Sequence, residues 1–262
     1  MRVAFAGKGG AGKTTIAATL ARVAARRGRT VVAVDADSNP NLAAALGVDP
    51  ATAAALAGIP ATAVSRKLTG PSLNAPVDEL LATHGTIAPD GVRLLMMGAP
   101  AHAGEGCLCS AHAAVSAVLA DLGAATGTLT VVDLEASPEH VSRGTARFAD
   151  VLVLVTEPYY RSLEATRRLA DLAAELPSTR TVVVVNKVRA VGDATAVAEF
   201  CARHGLAIIG EVPYSDAVVD ADRRARPLLD ADPDGPVCTA VAGVLDALVG
   251  VMSAATTVEV TA

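Results

Sequence analysis

The stretch Gly7-Lys8-Gly9-Gly10-Ala11-Gly12-Lys13-Thr14-Thr15 carries the plainest chemistry in this chain. It fits the spacing G-x-x-x-x-G-K-S/T, with Gly7, Gly12, Lys13 and Thr14 in the defining places. Glycines here let the backbone N–H groups around Gly9, Gly10, Ala11 and Gly12 turn inward onto phosphate oxygens. The start of a following helix adds partial positive charge. Lys13 is then expected to reach the β- and γ-phosphates of a nucleotide, and the Thr14 hydroxyl to hold Mg²⁺, with Thr15 next to it in the cradle. The competing reading is a Gly-rich turn with coincidental residues. A strand-like run before the loop and a helix-like run after it weigh against that.

Three carboxylates extend this chemistry. Val31-Val32-Ala33-Val34-Asp35-Ala36-Asp37 ends an apolar run on two aspartates. Asp37 suits the orientation or activation of an attacking water, and Asp35 the ordering of the Mg²⁺ shell, because carboxylates accept hydrogen bonds from water. Two turn aspartates capping a helix would leave the same trace. Val131-Val132-Asp133 places a third carboxylate at the end of another apolar run, a Walker B pattern. Further along, Val185-Asn186-Lys187-Val188-Arg189 has Arg189 where a guanine-reading N-K-x-D motif has its Asp. The acceptor for guanine's donors is missing, so adenine, and hence ATP, is expected. Asn186 and Lys187 lie on one side of the nucleotide, and Pro213 and Tyr214 line the other side of the base.

A separate constellation is Gly106-Cys107-Leu108-Cys109-Ser110. Two Cys one residue apart can face one soft metal, but they supply only two of the four thiolates that a closed site wants. A dimer axis through this loop would supply four. Two unpaired thiols packing as small hydrophobes is the plainer alternative. Cys201 and Cys238 fall in helical patterns and read as core thiols.

Seven short β-branched runs, at Arg2–Ala6, Thr30–Val34, Val92–Met97, Leu129–Asp133, Val151–Thr156, Thr181–Asn186 and Leu206–Glu211, must carry these residues. Their near-continuous apolar character suits strands buried on both faces of a parallel sheet. Helix-like stretches alternate with them, at Lys13–Arg27, Ser110–Leu122, Pro138–Phe148, Tyr160–Leu176, Asp193–His204 and Pro236–Met252. This alternation predicts an α/β, doubly wound, mainly parallel sheet of about seven strands flanked by helices. Residues 1–252 read as one domain, with 253–262 as a ragged tail. Residues 47–90 suggest short helices and loops inserted before the third strand.

Composition bounds the rest. The chain has 262 residues, 52% hydrophobic and 19% charged, so it is neither disordered nor fibrous. Net charge is −5 and aromatics are 2% with no Trp, which argues against a nucleic-acid binder built on phosphate neutralisation or base stacking. No signal peptide is apparent and no disulfide framework, so a cytoplasmic protein is expected. The apolar stretch from Pro236 to Val258 lacks flanking basic clusters and reads as a packed helix rather than a membrane span. Of the 22 basic residues only four are lysines, namely Lys8, Lys13, Lys67 and Lys187, and two of these lie in the phosphate loop. A compact ammonium is wanted there that Arg does not replace.

With Lys8, the loop matches the deviant Walker A pattern G-K-G-G-x-G-K-T. It resembles the family that includes MinD, ParA, the arsenite-pump ATPase and the nitrogenase iron protein. The resemblance implies that Lys8 reaches across a homodimer to the partner's nucleotide. Together with Met97-Gly98, the Cys107/Cys109 pair, Asp133, Glu139-His140, Arg143-Gly144-Thr145-Ala146, Glu157-Pro158, Asn186 to Arg189 and Val212-Pro213-Tyr214, the chain resembles the CooC-type ATPases. These help insert nickel into carbon monoxide dehydrogenase. The resemblance implies an ATP-dependent homodimer carrying one Ni²⁺ or Zn²⁺ at paired CxC motifs for a client metalloenzyme. Ser137-Pro138 departs from the family's Ala-Gly-x-Glu-His second switch. Two other readings are a positioning ATPase of the MinD/ParA kind, and an iron–sulfur electron donor. Against the first, Gly243–Met252 holds no Lys or Arg; Arg223-Arg224-Ala225-Arg226 is a tight basic cluster.

Overall fold

The structure, a computed structural model, describes residues 1–67, 70–97, 109–122, 127–142, 145–176 and 179–259. The run after Met1 forms β1 (Arg2–Gly7), and the phosphate loop opens α1 (Lys13–Arg26), followed by β2 (Thr30–Ala36). Short pieces come next: α2 (Leu42–Leu46), α3 (Pro50–Ala55), the hairpin of β3 (Val64–Lys67) and β4 (Gly70–Leu73), α4 (Val77–His84), β5 (Thr86–Ile87) and β6 (Arg93–Met96). The alternation then resumes with α5 (Cys109–Leu122), β7 (Thr128–Leu134), α6 (Glu139–Ser142), β8 (Val151–Thr156), α7 (Tyr160–Ala173) and β9 (Arg180–Val188). It closes with α8 (Val191–Arg203), β10 (Ile208–Pro213), α9 (Asp216–Arg223), α10 (Leu228–Ala231) and α11 (Pro236–Glu259).

Eight strands make one sheet in the order β10-β9-β8-β1-β7-β2-β6-β5. All neighbours are parallel except the edge pair β5–β6. Side-chain alternation splits the sheet between two cores. Val3 and Phe5 of β1 pack on one face with Ile16 and Leu20 of α1 and Val241 and Leu245 of α11. Ala4 and Ala6 pack on the other with Val115 and Leu119 of α5, Leu163 of α7 and Phe200 of α8. The order reverses around β1, so the loop after it opens at the sheet's carboxyl edge between strands that diverge, the usual place for a ligand in this class of sheet.

All seven expected strands are present, and the two-residue β5 makes an eighth. The expected helix over Pro138–Phe148 is instead α6 and a separate 3₁₀ turn at Thr145–Phe148. Arg143 and Gly144, between the two, lie outside the described residues. The region 47–90 holds the expected short helices, together with a hairpin that its sequence does not announce. The helix α11 continues past Ser253 to Glu259. It is the single described helix long and apolar enough to cross a membrane by composition. Here it packs against β10 and α1, with Val237, Cys238, Val241, Val244, Leu245 and Leu248 buried.

Candidate functional site

The phosphate loop is held open by backbone that only glycine adopts easily. Gly12, at the start of α1, has φ +96°, and a Cβ there would collide with the Asn186 side-chain amide. The loop's inner turn closes through the Ala11 N–H, which donates to the Lys8 carbonyl at 3.1 Å. Gly9 and Gly10 are exposed and Ala11 is buried beneath them. Lys13 is buried at the first turn of α1. Burial pushes its ammonium below the usual lysine range, while Asp133, Asp37 and Glu135 pull it back up.

The carboxylates converge on this end because β2 and β7 are register partners, with Asp35 opposite Asp133. The Thr14 hydroxyl donates to Asp133 Oδ2 at 2.6 Å. Asp133 is 1% exposed, and its Oδ1 has no hydrogen-bond partner among the described residues. Burial, with Asp35 and Asp37 near, pushes its carboxyl up to about 7, against the pull of Thr14 and Lys13. A buried carboxylate with one spare oxygen beside a threonine hydroxyl fits Mg²⁺ or a water bound to it. Asp35 is wholly buried and is pushed up to about 6 by desolvation. Both of its oxygens are engaged: Oδ2 accepts from the Leu42 N–H at 2.8 Å and Oδ1 from the Asp37 N–H at 3.2 Å. Asp35 thus fixes the turn that presents Asp37, whose own Oδ1 accepts from the Asn39 N–H at 2.8 Å. His140 Nε2 lies 2.7 Å from the Ala36 carbonyl between these two aspartates, with the His112 ring 4.4 Å from its own.

At the base end, a cavity of about 320 Å³ lies beside the loop, lined by Gly12, Thr15, Asn186, Pro213, Tyr214 and Val218 among others. Asn186, Pro213 and Tyr214 thus line one cavity. The Asn186 amide does more than flank this space: its Nδ2 donates to the Ala11 carbonyl at 2.7 Å and its Oδ1 accepts from the Lys187 N–H at 2.9 Å. Lys187, at φ +59°, donates from Nζ to the Gly10 carbonyl at 2.7 Å. The Arg189 guanidinium lies 3.5 Å from the centre of the Tyr214 ring.

Sequence reading missed two groups. Lys187 Nζ pairs with Glu157 Oε1 at 2.8 Å, and Glu157 Oε2 accepts from the Tyr159 hydroxyl at 2.6 Å. That hydroxyl accepts in turn from Lys8 Nζ at 3.2 Å. The scarcity of lysine was the available signal, since three of the four meet at this loop. The second group is Arg22, 2% exposed, which binds Asp230 through both terminal nitrogens at 2.7 and 2.8 Å and Asp90 through Nε at 2.6 Å. It ties α1 to α10 beside the cavity. No local pattern could announce partners so distant in sequence. Cys107 lies outside the described residues, as does the side chain of Cys109, whose backbone begins α5. Cys201 and Cys238 are buried free thiols, both pushed up by desolvation.

A doubly wound sheet with a lysine-bearing phosphate loop at its reversal point, faced by a threonine–aspartate pair, defines a P-loop nucleotide-binding protein. The chain belongs to the CobQ/CobB/MinD/ParA nucleotide-binding domain family, which matches residues 3–229. It is 34% identical to the carbon monoxide dehydrogenase accessory protein CooC of Rhodospirillum rubrum, over 89% of this chain and 91% of that one. It is 33% identical to an uncharacterized ATP-binding protein of Methanocaldococcus jannaschii, over 87% and 91% of the two chains. Among solved structures, the MinD cell division protein of Aquifex aeolicus superposes with a TM-score of 0.71 at 21% identity, covering 95% of this chain and 97% of that one.

Proposed function

We propose that this protein is a cytoplasmic ATPase whose nucleotide-bound homodimer carries Ni²⁺ or Zn²⁺ to a client metalloenzyme, such as a carbon monoxide dehydrogenase. The observation that carries the ATPase half is the Thr14–Asp133 pair with its unpartnered Oδ1 beside the desolvated Lys13. Backbone N–H groups of the loop and Lys13 hold the phosphates. Thr14 and Asp133 would hold Mg²⁺, which when bound would neutralise phosphate charge. Asp37, presented by Asp35 on a fixed turn, accepts a hydrogen bond from the attacking water and sets its line of approach. Lys8 acts on the partner's nucleotide, so hydrolysis waits for the dimer. Asn186 and Lys187 hold the loop by two of its carbonyls while the adenine occupies the cavity against Pro213 and Tyr214.

The metal half rests on the Cys107-Leu108-Cys109 spacing together with the similarity to a carbon monoxide dehydrogenase accessory protein. Two such pairs brought together by the closed dimer complete four thiolates around one soft ion. Residues 1–252 act as one domain, without nucleic acid or membrane in the cycle. If ATP and metal both favour the closed dimer, each tightens the binding of the other by the same factor. The test is metal content per dimer, by sedimentation and elemental analysis, on protein given Ni²⁺ or Zn²⁺ with and without ATP. One ion per nucleotide-dependent dimer is expected, with none in Cys107→Ser/Cys109→Ser. Metal retained by that variant overturns the assignment of the thiols. A metal-free dimer leaves an ATPase with another task.

A further inference from the structure

Lys8 is not free to reach away from its own subunit. Its ammonium donates to the Tyr159 hydroxyl at 3.2 Å and lies 5.1 Å from the centre of that ring. Tyr159 is itself fixed. Its hydroxyl donates to Glu157 Oε2 at 2.6 Å and its backbone N–H to the Glu157 carbonyl at 2.8 Å. Glu157 is 7% exposed, and its own N–H donates to the Ser162 hydroxyl at 3.0 Å. Its second oxygen holds Lys187 Nζ at 2.8 Å, and that ammonium donates to the Gly10 carbonyl at 2.7 Å. The chain of contacts therefore starts and ends on the phosphate loop, running Lys8, Tyr159, Glu157, Lys187, Gly10. Its fixed centre is a nearly buried carboxylate, and it is half-exposed at both arms, with Tyr159 41% exposed and the Lys187 side chain 40%.

We infer that Tyr159 is the positioning residue of Lys8: it docks the ammonium on its own subunit and must release it before the lysine can act across the dimer. This rests on the proposed dimeric reading of Lys8. The physical consequence is a cost incurred twice per dimer, once for each protomer. A charged donor on a half-exposed hydroxyl is worth about threefold in an equilibrium constant. Removing the hydroxyl from both subunits then tightens dimer formation about tenfold. The neighbouring Tyr160, 73% exposed, leaves the same surface open to a second copy. The strained left-handed backbone of Lys187 fits the same account, since it aims the ammonium at Glu157 and Gly10 together.

The test compares wild type with Tyr159→Phe, which keeps the ring and deletes the hydroxyl, and Tyr159→Leu, which deletes both. Dimerisation is measured by sedimentation velocity over a protein dilution series, with a non-hydrolysable ATP analogue and Mg²⁺. ADP affinity of the monomer is followed in parallel as a readout of the intact loop. The expected result is a dimer constant about tenfold tighter in Tyr159→Phe, tighter still in Tyr159→Leu, and an unchanged ADP affinity. A wild-type dimer that forms with nucleotide but is no tighter in either variant overturns the latch alone. A wild type that stays monomeric at every concentration overturns the dimeric reading, and the latch with it.

Discussion

On the β1, β2 and β7 side of the cleft a buried carboxylate oxygen has no partner among the described residues, whereas on the β9 and β10 side Asn186, Lys187 and Arg189 are paired within the chain. Among the described residues Asp133 Oδ1 has no partner, and Lys13 is desolvated, with Asp133, Asp37 and Glu135 offsetting the cost. Across the loop, Asn186 and Lys187 direct their donors to the Ala11 and Gly10 carbonyls, and Arg189 lies on Tyr214. The phosphate end is thus built to be completed by charge from a ligand, and the base end to keep its shape without one. A buried group left incomplete costs stability in the empty protein and returns it on binding.

The largest effect that could break this contrast is at Asp133. Asp133→Asn should cut Mg²⁺-dependent ATP turnover at least about a hundredfold while leaving the protein folded. Steady-state turnover beside thermal unfolding checks both. Near-normal turnover would mean that the spare oxygen has no ligand to receive.

A second effect is on stability against pH. Asp35 and Asp133 titrate at about 6 and about 7 in the folded chain, above the ordinary value of 3.8. A carboxyl whose folded value is raised stabilises the fold fully below its unfolded value and loses that contribution as pH rises through the folded one. The nucleotide-free protein should therefore lose stability from about pH 4 to about pH 7, a loss that Asp133→Asn makes smaller. Urea unfolding midpoints across that range check it, and a rise in stability with pH for the empty wild type would sink the account.

The smallest effect tests the other side. Arg22→Met removes the buried part of the pairing of Asp90 and Asp230, leaving only the exposed Arg26 of α1 beside them at 3.1 and 3.4 Å. Both acids are partly exposed, at 22% and 34%, which softens the penalty. The expected loss is about 2 kcal/mol of stability. Nucleotide affinity should weaken only a fewfold, because the phosphate end is untouched. A loss of affinity as large as that from a phosphate-loop change would erase the distinction between the two ends.

The residues explain why some of this was legible beforehand. The loop from Gly7 to Thr15 is contiguous, so its spacing alone specifies both backbone and chemistry. Apart from the half-buried edge strand β10, the main strands are apolar runs buried on both faces, and such runs tolerate little else. The edge strand Thr86–Ile87 is two residues long and exists by pairing with β6, which no local pattern records. The hairpin carries Pro71 opposite Arg66, an unpromising strand residue tolerated in a two-stranded pairing. At the site, Asn186 was placed beside the base, but its hold on the Ala11 carbonyl depends on β9 and the loop meeting in space. The links from Glu157 to Lys187 and Tyr159 are hidden for the same reason.

The gathering of lysines at the phosphate loop also sets how the protein answers to chemical labelling. Three of its four lysines lie in or against the loop, Lys8 and Lys187 within one network and Lys13 buried beside it, so an amine-selective reagent that reaches them samples the nucleotide cleft. The other basic side chains are arginines, which such reagents pass over. Acylation in the presence and absence of nucleotide, read residue by residue at Lys8, Lys13 and Lys187, would serve as a footprint of occupancy and subunit closure in a protein that has no tryptophan to report either.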